Sequence, residues 1–305
     1  MRDRFARTLH AVARRTHGVF IVVADISPAA SMTPFRDEFP ERFINVGVAE
    51  QTMLGMCAGL ALRGCKPFAY TIATFALYRP FEQIRVDVCY QNLPVTIVGI
   101  GAGVAYSTLG GTHHAMEDIA VMSALPNMSI IAPCDPLEVE AATWVCAQHD
   151  GPMYLRLGKA GEPELTAGAP EPFRFGKVRL LQEGAGTCII AYGPIMKMAF
   201  DLARRVEETT KVRPAVVSAH TLKPLDREGV ASVLQRFDDV VVLEEHSAYG
   251  GLGPQMKQLA WDAAARCRLH TFSLQDHFIH QFGSQKDLWD AHGLTLDRAC
   301  VALGL

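Results

Sequence analysis

Short, nearly continuous apolar runs alternate with longer helix-forming stretches along almost the whole chain, and this alternation limits the possible folds more than any other feature. Val19–Ala24, Lys66–Tyr70, Pro94–Gly99 and Ser129–Ala132 read as buried strands. Glu50–Leu62, Arg79–Gln91 and Pro136–Gln148 read as the helices between them. A strand that is apolar on both faces needs cover on both, so the pattern predicts a parallel sheet wrapped by helices. After Gly158 the pattern breaks at GKAGEPELTAGAPEPFRFG, a stretch rich in Gly, Pro and charge. It then resumes with strands at Thr187–Tyr192, Ala215–Ser218, Val240–Glu245 and His270–Phe272, and helices near Met196–Glu208, Arg227–Arg236 and Leu252–Ala265. The expected fold class is α/β with two doubly wound domains, residues 1–165 and a smaller 184–305, joined by a linker over 166–183.

Bulk properties narrow the function. A chain of 305 residues can fill two separate cores. A formal net charge of -3 provides no basic field, so a nucleic acid partner is not expected. No apolar run approaches the roughly 20 residues that span a bilayer, so no membrane segment is expected. The Arg-rich N-terminus runs straight into Val19–Val23 and reads as the first helix rather than a cleavable leader. The eight cysteines show neither CxxC nor zinc spacing, which suits buried reduced thiols in a cytoplasmic protein, and no metal-ligand set is expected.

Open parallel sheets bind ligands beyond the carboxyl ends of their strands, and three segments stand out there. In Asn45–Gln51 a strand-like FINV meets a helix at Glu50. A carboxylate at a helix start is often structural, but in an apolar cleft it suits proton exchange with a nitrogen heterocycle. In Thr74–Gln83 the rings of Phe75, Tyr78 and Phe81 recur every third residue. They form either a core stripe or, since Pro80 delays the helix start, a platform for a flat ligand. In Gly110–Asp118 two glycines precede His113 and His114. Adjacent histidines diverge on an extended segment, so proton transfer or substrate orientation suits them better than chelation. Neither a GxxxxGK[ST] loop nor a GDG-type segment followed by Asn is present to hold a diphosphate and its metal. An aromatic-and-carboxylate cleft without a diphosphate site reads as half of an active site.

FINVGVAEQ, TFALYRPFEQ, QNLPVTIV, GGTHHAMED and LPNMSIIAPCDP resemble, in this order, the pyrimidine-binding domain of transketolases. HTLKPLD, VVVLEEHSAYGGLG and LTLDRACVAL resemble their C-terminal domain. Both domains also occur in 1-deoxyxylulose-5-phosphate synthases and in beta subunits of 2-oxo acid dehydrogenases. The resemblance implies that residues 1–165 form a thiamine-diphosphate pyrimidine-binding domain and 184–305 a transketolase C-terminal domain. It assigns Glu50 to the glutamate that hydrogen-bonds the pyrimidine N1', and Phe75 to the ring stacked on the pyrimidine, with Tyr78 and Phe81 lining the pocket. It assigns His113 to the histidine facing the substrate and points to Arg156 for a sugar phosphate; His114, and Tyr106 and Ser107 as replacements for family contacts missing here, are further candidate substrate contacts.

In that family the diphosphate and Mg2+ are held by an N-terminal domain absent from this sequence, so a separate partner subunit is expected, in an α2β2 assembly. Sugar-phosphate transketolases carry an Asp where this chain has Leu109 and a His where it has Gly101, which argues against a standard pentose-phosphate substrate. The expected activity is transfer of a two-carbon ketol unit from a ketose-like donor to an aldehyde acceptor. The alternatives are a decarboxylating 2-oxo acid enzyme and a non-catalytic assembly subunit.

Overall fold

The computed structural model describes residues 1–26 and 30–305. Its strands are β1 (Val19–Val23), β2 (Phe43–Asn45), β3 (Lys66–Ile72), β4 (Thr96–Ile100), β5 (Ser129–Ile131), β6 (Met153–Leu157), β7 (Arg179–Gln182), β8 (Thr187–Ala191), β9 (Ala215–Ser218), β10 (Thr221–Lys223), β11 (Asp239–Ser247) and β12 (Arg268–Leu274). They form one sheet in the order β10-β5-β6-β4-β3-β1-β2 and a second in the order β12-β11-β8-β9-β7. Every residue of β4 and β6 is buried, as the uninterrupted apolar runs require. One face of the first sheet is covered by the helix Arg2–Arg15, whose Phe5 stacks on Tyr70 with ring centroids 5.8 Å apart. All cysteines are unpaired, and all but Cys65 and Cys267 are buried.

Three expectations need correction. The sheets are not wholly parallel: β10, from the second half of the chain, pairs antiparallel with β5, and β7 pairs antiparallel with β9. The linker is shorter than 166–183, because β7 lies inside that span and belongs to the second sheet. As an edge strand of four residues it carries no long apolar run to betray it. Finally, Arg79–Gln91 is not a single α-helix. A short helix at Ala73–Leu77 is followed by a break at Pro80, which has no N–H to donate, and then by a π-helical segment at Gln83–Tyr90.

A buried polar seam joins the domains. Asp118 accepts from Arg156 Nε at 2.7 Å and from the Tyr154 hydroxyl at 2.6 Å. The other end of the guanidinium crosses to the second domain, with Arg156 Nη2 donating to the Glu245 carbonyl at 2.9 Å. Glu245 returns the contact by accepting from the Val104 N–H at 2.8 Å, and Ser247 N–H donates to the Met116 carbonyl at 2.7 Å. Burial pushes the Glu245 carboxyl above its ordinary range. Arg156, considered above for a sugar phosphate, is therefore a structural residue, 1% exposed and committed to Asp118.

Removing one member of this pair leaves a buried charge. Arg156→Met is expected to cost about 3–5 kcal/mol in urea denaturation; a loss below about 1 kcal/mol, as for an exposed ion pair, would contradict the assignment.

Two buried histidines predict acid sensitivity. Burial lowers His220 to about 3, with Arg179 adding to the effect, and lowers His292 to about 4, with His277 and His114 adding. Both values lie below the ordinary 6.5, so the unfolded chain takes up protons that the folded chain refuses. Their contribution is complete above pH about 6.5 and is lost progressively as pH falls toward 4. Denaturation midpoints should drop across that window, and His220→Gln should flatten the drop; identical pH slopes for the two proteins would refute this.

Candidate active site

The carboxyl ends of β6, β4, β3 and β2 lie along one edge of the first sheet, and the segments singled out in the sequence leave from there. Beyond β2, Asn45 Oδ1 accepts from the N–H groups of Asp25 and Gly47, at 3.1 and 3.0 Å. Gly47, at φ +72°, then turns the chain into the helix Glu50–Leu62. That turn leaves Glu50 at the helix start, only 5% exposed.

Arg79 joins Glu50 to the aromatic segment. Its Nη1 donates to Glu50 Oε1 at 2.8 Å, and its guanidinium lies over the Phe75 ring, 4.3 Å from the centroid. The carboxylate thus has a charged neighbour, where the sequence suggested an apolar cleft. Phe75 meets the His113 imidazole edge-on, with centroids 5.1 Å apart, and Tyr106 meets the same imidazole at 5.8 Å. The Thr74 hydroxyl donates to the Thr112 carbonyl at 2.9 Å, which ties the Phe75 segment to the histidine loop. Burial and the nearby Arg79 charge both lower the His113 pKa, so its imidazole is neutral at neutral pH.

Tyr106 explains one departure in the sequence. A Cβ on Gly101 would fall 2.0 Å from the Tyr106 ring, at a backbone φ of +77°. Residue 101 is glycine because the tyrosine occupies its side-chain space, and a histidine there would displace it. Ser107 is half-buried beside Tyr106, and Leu109 is exposed.

Of the expected residues, Glu50 and Phe75 meet through Arg79, and Phe75 and Tyr106 meet on the His113 ring. Others do not join them. Tyr78 and Phe81 pack against the hydrophobic core, as a stripe would. The Tyr78 hydroxyl is buried without a partner, and burial with the neighbouring Asp118 and Glu117 charges pushes its pKa far up. His114, 2% exposed, is buried with neither ring nitrogen hydrogen-bonded, so it is no open substrate contact.

Several site residues escape a reading of the sequence. Arg79 lies inside the aromatic motif, where it reads as the start of a helix. Lys159, in the Gly- and Pro-rich stretch just after β6, holds its ammonium 5.1 Å from the Tyr106 centroid. Arg2 lies near enough that its charge offsets part of the upward shift that burial imposes on the Tyr106 phenol. Phe278 and Phe282, both exposed, come from the second domain and lie against Gly111 and Gly110. Nothing local in the sequence marks these last two, since their role depends on how the domains dock.

A buried carboxylate acceptor beside an aromatic face suits a flat, N–H-bearing heterocycle such as the pyrimidine of thiamine diphosphate. Among the described residues no group of three or more His, Cys, Asp or Glu side chains could hold a metal ion, and no helix is long and apolar enough to cross a membrane.

Comparison with known proteins identifies the family. Residues 1–161 match the transketolase pyrimidine-binding domain, and residues 176–298 the transketolase C-terminal domain. The chain is 30% identical to an apulose-4-phosphate transketolase subunit of Phocaeicola vulgatus, over 98% of this chain and 95% of that protein. It is 34% identical to the 6-deoxy-6-sulfo-D-fructose transketolase subunit SqwH of a Clostridium species, over 88% of this chain and 80% of that protein. It is also 33% identical to 1-deoxy-D-xylulose-5-phosphate synthase of Nitratidesulfovibrio vulgaris, but spans only 47% of that longer protein. Among solved structures, a split gene transketolase described as an inactive beta4 tetramer superposes with a TM-score of 0.89 at 33% identity, over 99% of this chain and 96% of that one. Sheet order and these matches lead to one conclusion: the chain belongs to the transketolase family and carries its pyrimidine-binding and C-terminal domains.

Proposed function

We propose that this chain is one subunit of a two-subunit, thiamine-diphosphate-dependent transketolase that moves a two-carbon ketol unit from a ketose-like donor to an aldehyde acceptor. The observation that carries the reading is that a single planar group, the Arg79 guanidinium, touches both Glu50 and Phe75. A pyrimidine ring of similar thickness can therefore be stacked and hydrogen-bonded at once. The apulose-4-phosphate transketolase subunits are spanned almost end to end, whereas the synthase is about twice as long. A separate polypeptide would supply the diphosphate and Mg2+ site, in an α2β2 heterotetramer of the cytoplasm. Val48, Met56, Leu62, Val86 and Tyr90 are exposed apolar side chains on and around the helix that begins at Glu50, and they support a partner surface next to the cleft.

When bound, thiamine diphosphate supplies a carbon that stabilises the negative charge of the transferred unit. Glu50 would hold a proton at the pyrimidine nitrogen, and Phe75 would fix the plane of the ring. His113, in contact with Phe75 and Tyr106, would exchange a proton with a substrate oxygen. Phe278 and Phe282, which lie against Gly111 and Gly110, would narrow the mouth of the site. Lys159 and Arg2 flank Tyr106 and suit a substrate with an anionic end, which agrees with a relative named for a phosphate and another named for a sulfonate. The alternative, a decarboxylating 2-oxo acid enzyme, draws on the likeness to the synthase and would be recognised by release of CO2 from pyruvate.

Co-expression with a partner that carries the diphosphate-binding domain permits two tests. Glu50→Gln should lower the rate of ketol transfer roughly 10²–10⁴-fold, since its proton can no longer be shared with the ring; near-normal turnover would remove Glu50 from the chemistry and favour an assembly role. Lys159→Ala should raise KM for a phosphorylated or sulfonated ketose about tenfold with little change in kcat, and an unchanged KM would remove Lys159 from the anion site.

A further inference from the structure

Arg79 makes, at one time, both contacts that the Glu50–Phe75 cleft offers a heterocycle: an N–H to Glu50 Oε1 at 2.8 Å, and a flat face 4.3 Å above Phe75. Two planar groups cannot share that position. The partners also differ in freedom. The Arg79 side chain is 52% exposed, whereas that of Glu50 is 6% exposed, so the guanidinium can leave toward solvent while the carboxylate stays. Arg79 lies between the helix Ala73–Leu77 and the π-helical segment Gln83–Tyr90, so its side chain can swing without breaking either.

A surface ion pair alone would not explain this arrangement. An exposed arginine gains little from pairing with one carboxylate, and a lysine would serve as well for charge. Only arginine combines a donor fork with a stacking plane. A carboxylate as buried as Glu50 is costly to leave without a partner, so any ligand that takes its place must itself donate a hydrogen bond.

We propose that Arg79 is a displaceable occupant of the pyrimidine seat, pairing with Glu50 and covering Phe75 until thiamine diphosphate takes over both contacts. The proposal rests on the reading of Glu50 and Phe75 as the cofactor seat. Arg79 is then a latch: it keeps Glu50 paired in the unloaded chain, and it makes the seat accept only ligands that satisfy Glu50 and stack on Phe75 together.

The test is calorimetric titration of the full chain, in complex with a partner that carries the diphosphate-binding domain, with thiamine diphosphate and Mg2+, a readout independent of turnover. Arg79→Ala should bind saturably and about tenfold more tightly than the wild-type chain, because one charge-assisted contact and one stacking contact no longer compete. Arg79→Lys, which keeps the charge but not the plane, should fall between them. Arg79→Ala binding no more tightly than wild type, or not saturably at all, overturns the latch. A double variant, Arg79→Ala with Glu50→Gln, separates this from the parent reading: it should bind more weakly than Arg79→Ala, and undiminished affinity would mean that the ring binds elsewhere, which overturns the seat as well as the latch.

Discussion

The ion pair between Asp118 and Arg156 is the contact on which the remaining geometry depends. Asp118 ends the histidine segment, Arg156 lies on the interior strand β6, and the same guanidinium reaches the Glu245 carbonyl of the second domain. One fully buried charge pair therefore registers a loop, a sheet and a neighbouring domain against one another. Such a pair contributes little net stability compared with apolar packing, but it tolerates few alternative arrangements, because any shift leaves a charge unpaired. The loop that carries Tyr106 and His113 is held at both ends by this seam, through Val104 and Met116.

The site is distributed along one sheet edge, so its parts arrive from distant positions in the chain. Adjacent strands β6, β4 and β3 deliver Lys159, then Tyr106 and His113, then Phe75 and Arg79, and β2 leads into Glu50. The cations of Lys159 and Arg2 lie near Tyr106, whereas Glu50 is paired with Arg79. The second domain contributes apolar cover through Phe278 and Phe282 rather than polar chemistry.

Much of the fold was legible in the residues, because parallel strands buried on both faces must be written as apolar runs and their covering helices as longer periodic stretches. The helices Glu50–Leu62, Pro136–Gln148 and Arg227–Arg236 fall where that pattern places them. Edge strands were less visible: β7 and β10 are short and pair on one side, so they carry no such signature. At the sheet edge, Glu50, Phe75 and His113 stand out in the sequence because of their residue types, and Arg79 and the contact between Phe75 and His113 bring them together in space. Arg156 misled for the converse reason. An arginine on a strand reads as a ligand group until a buried aspartate from elsewhere is seen to consume it.

By itself the sequence determined the α/β architecture, its division into two doubly wound parts and the lack of a diphosphate motif, since periodicity and motif content are local properties of the chain. Tertiary structure alone decided which polar groups meet. It joined Arg79 to Glu50 across 29 positions and Arg156 to Asp118 across 38, and it laid Phe278 and Phe282 over the histidine loop. Whether a charged side chain waits for a ligand or is already paired depends on a partner brought close by folding, and spacing along the chain carries no record of that partner.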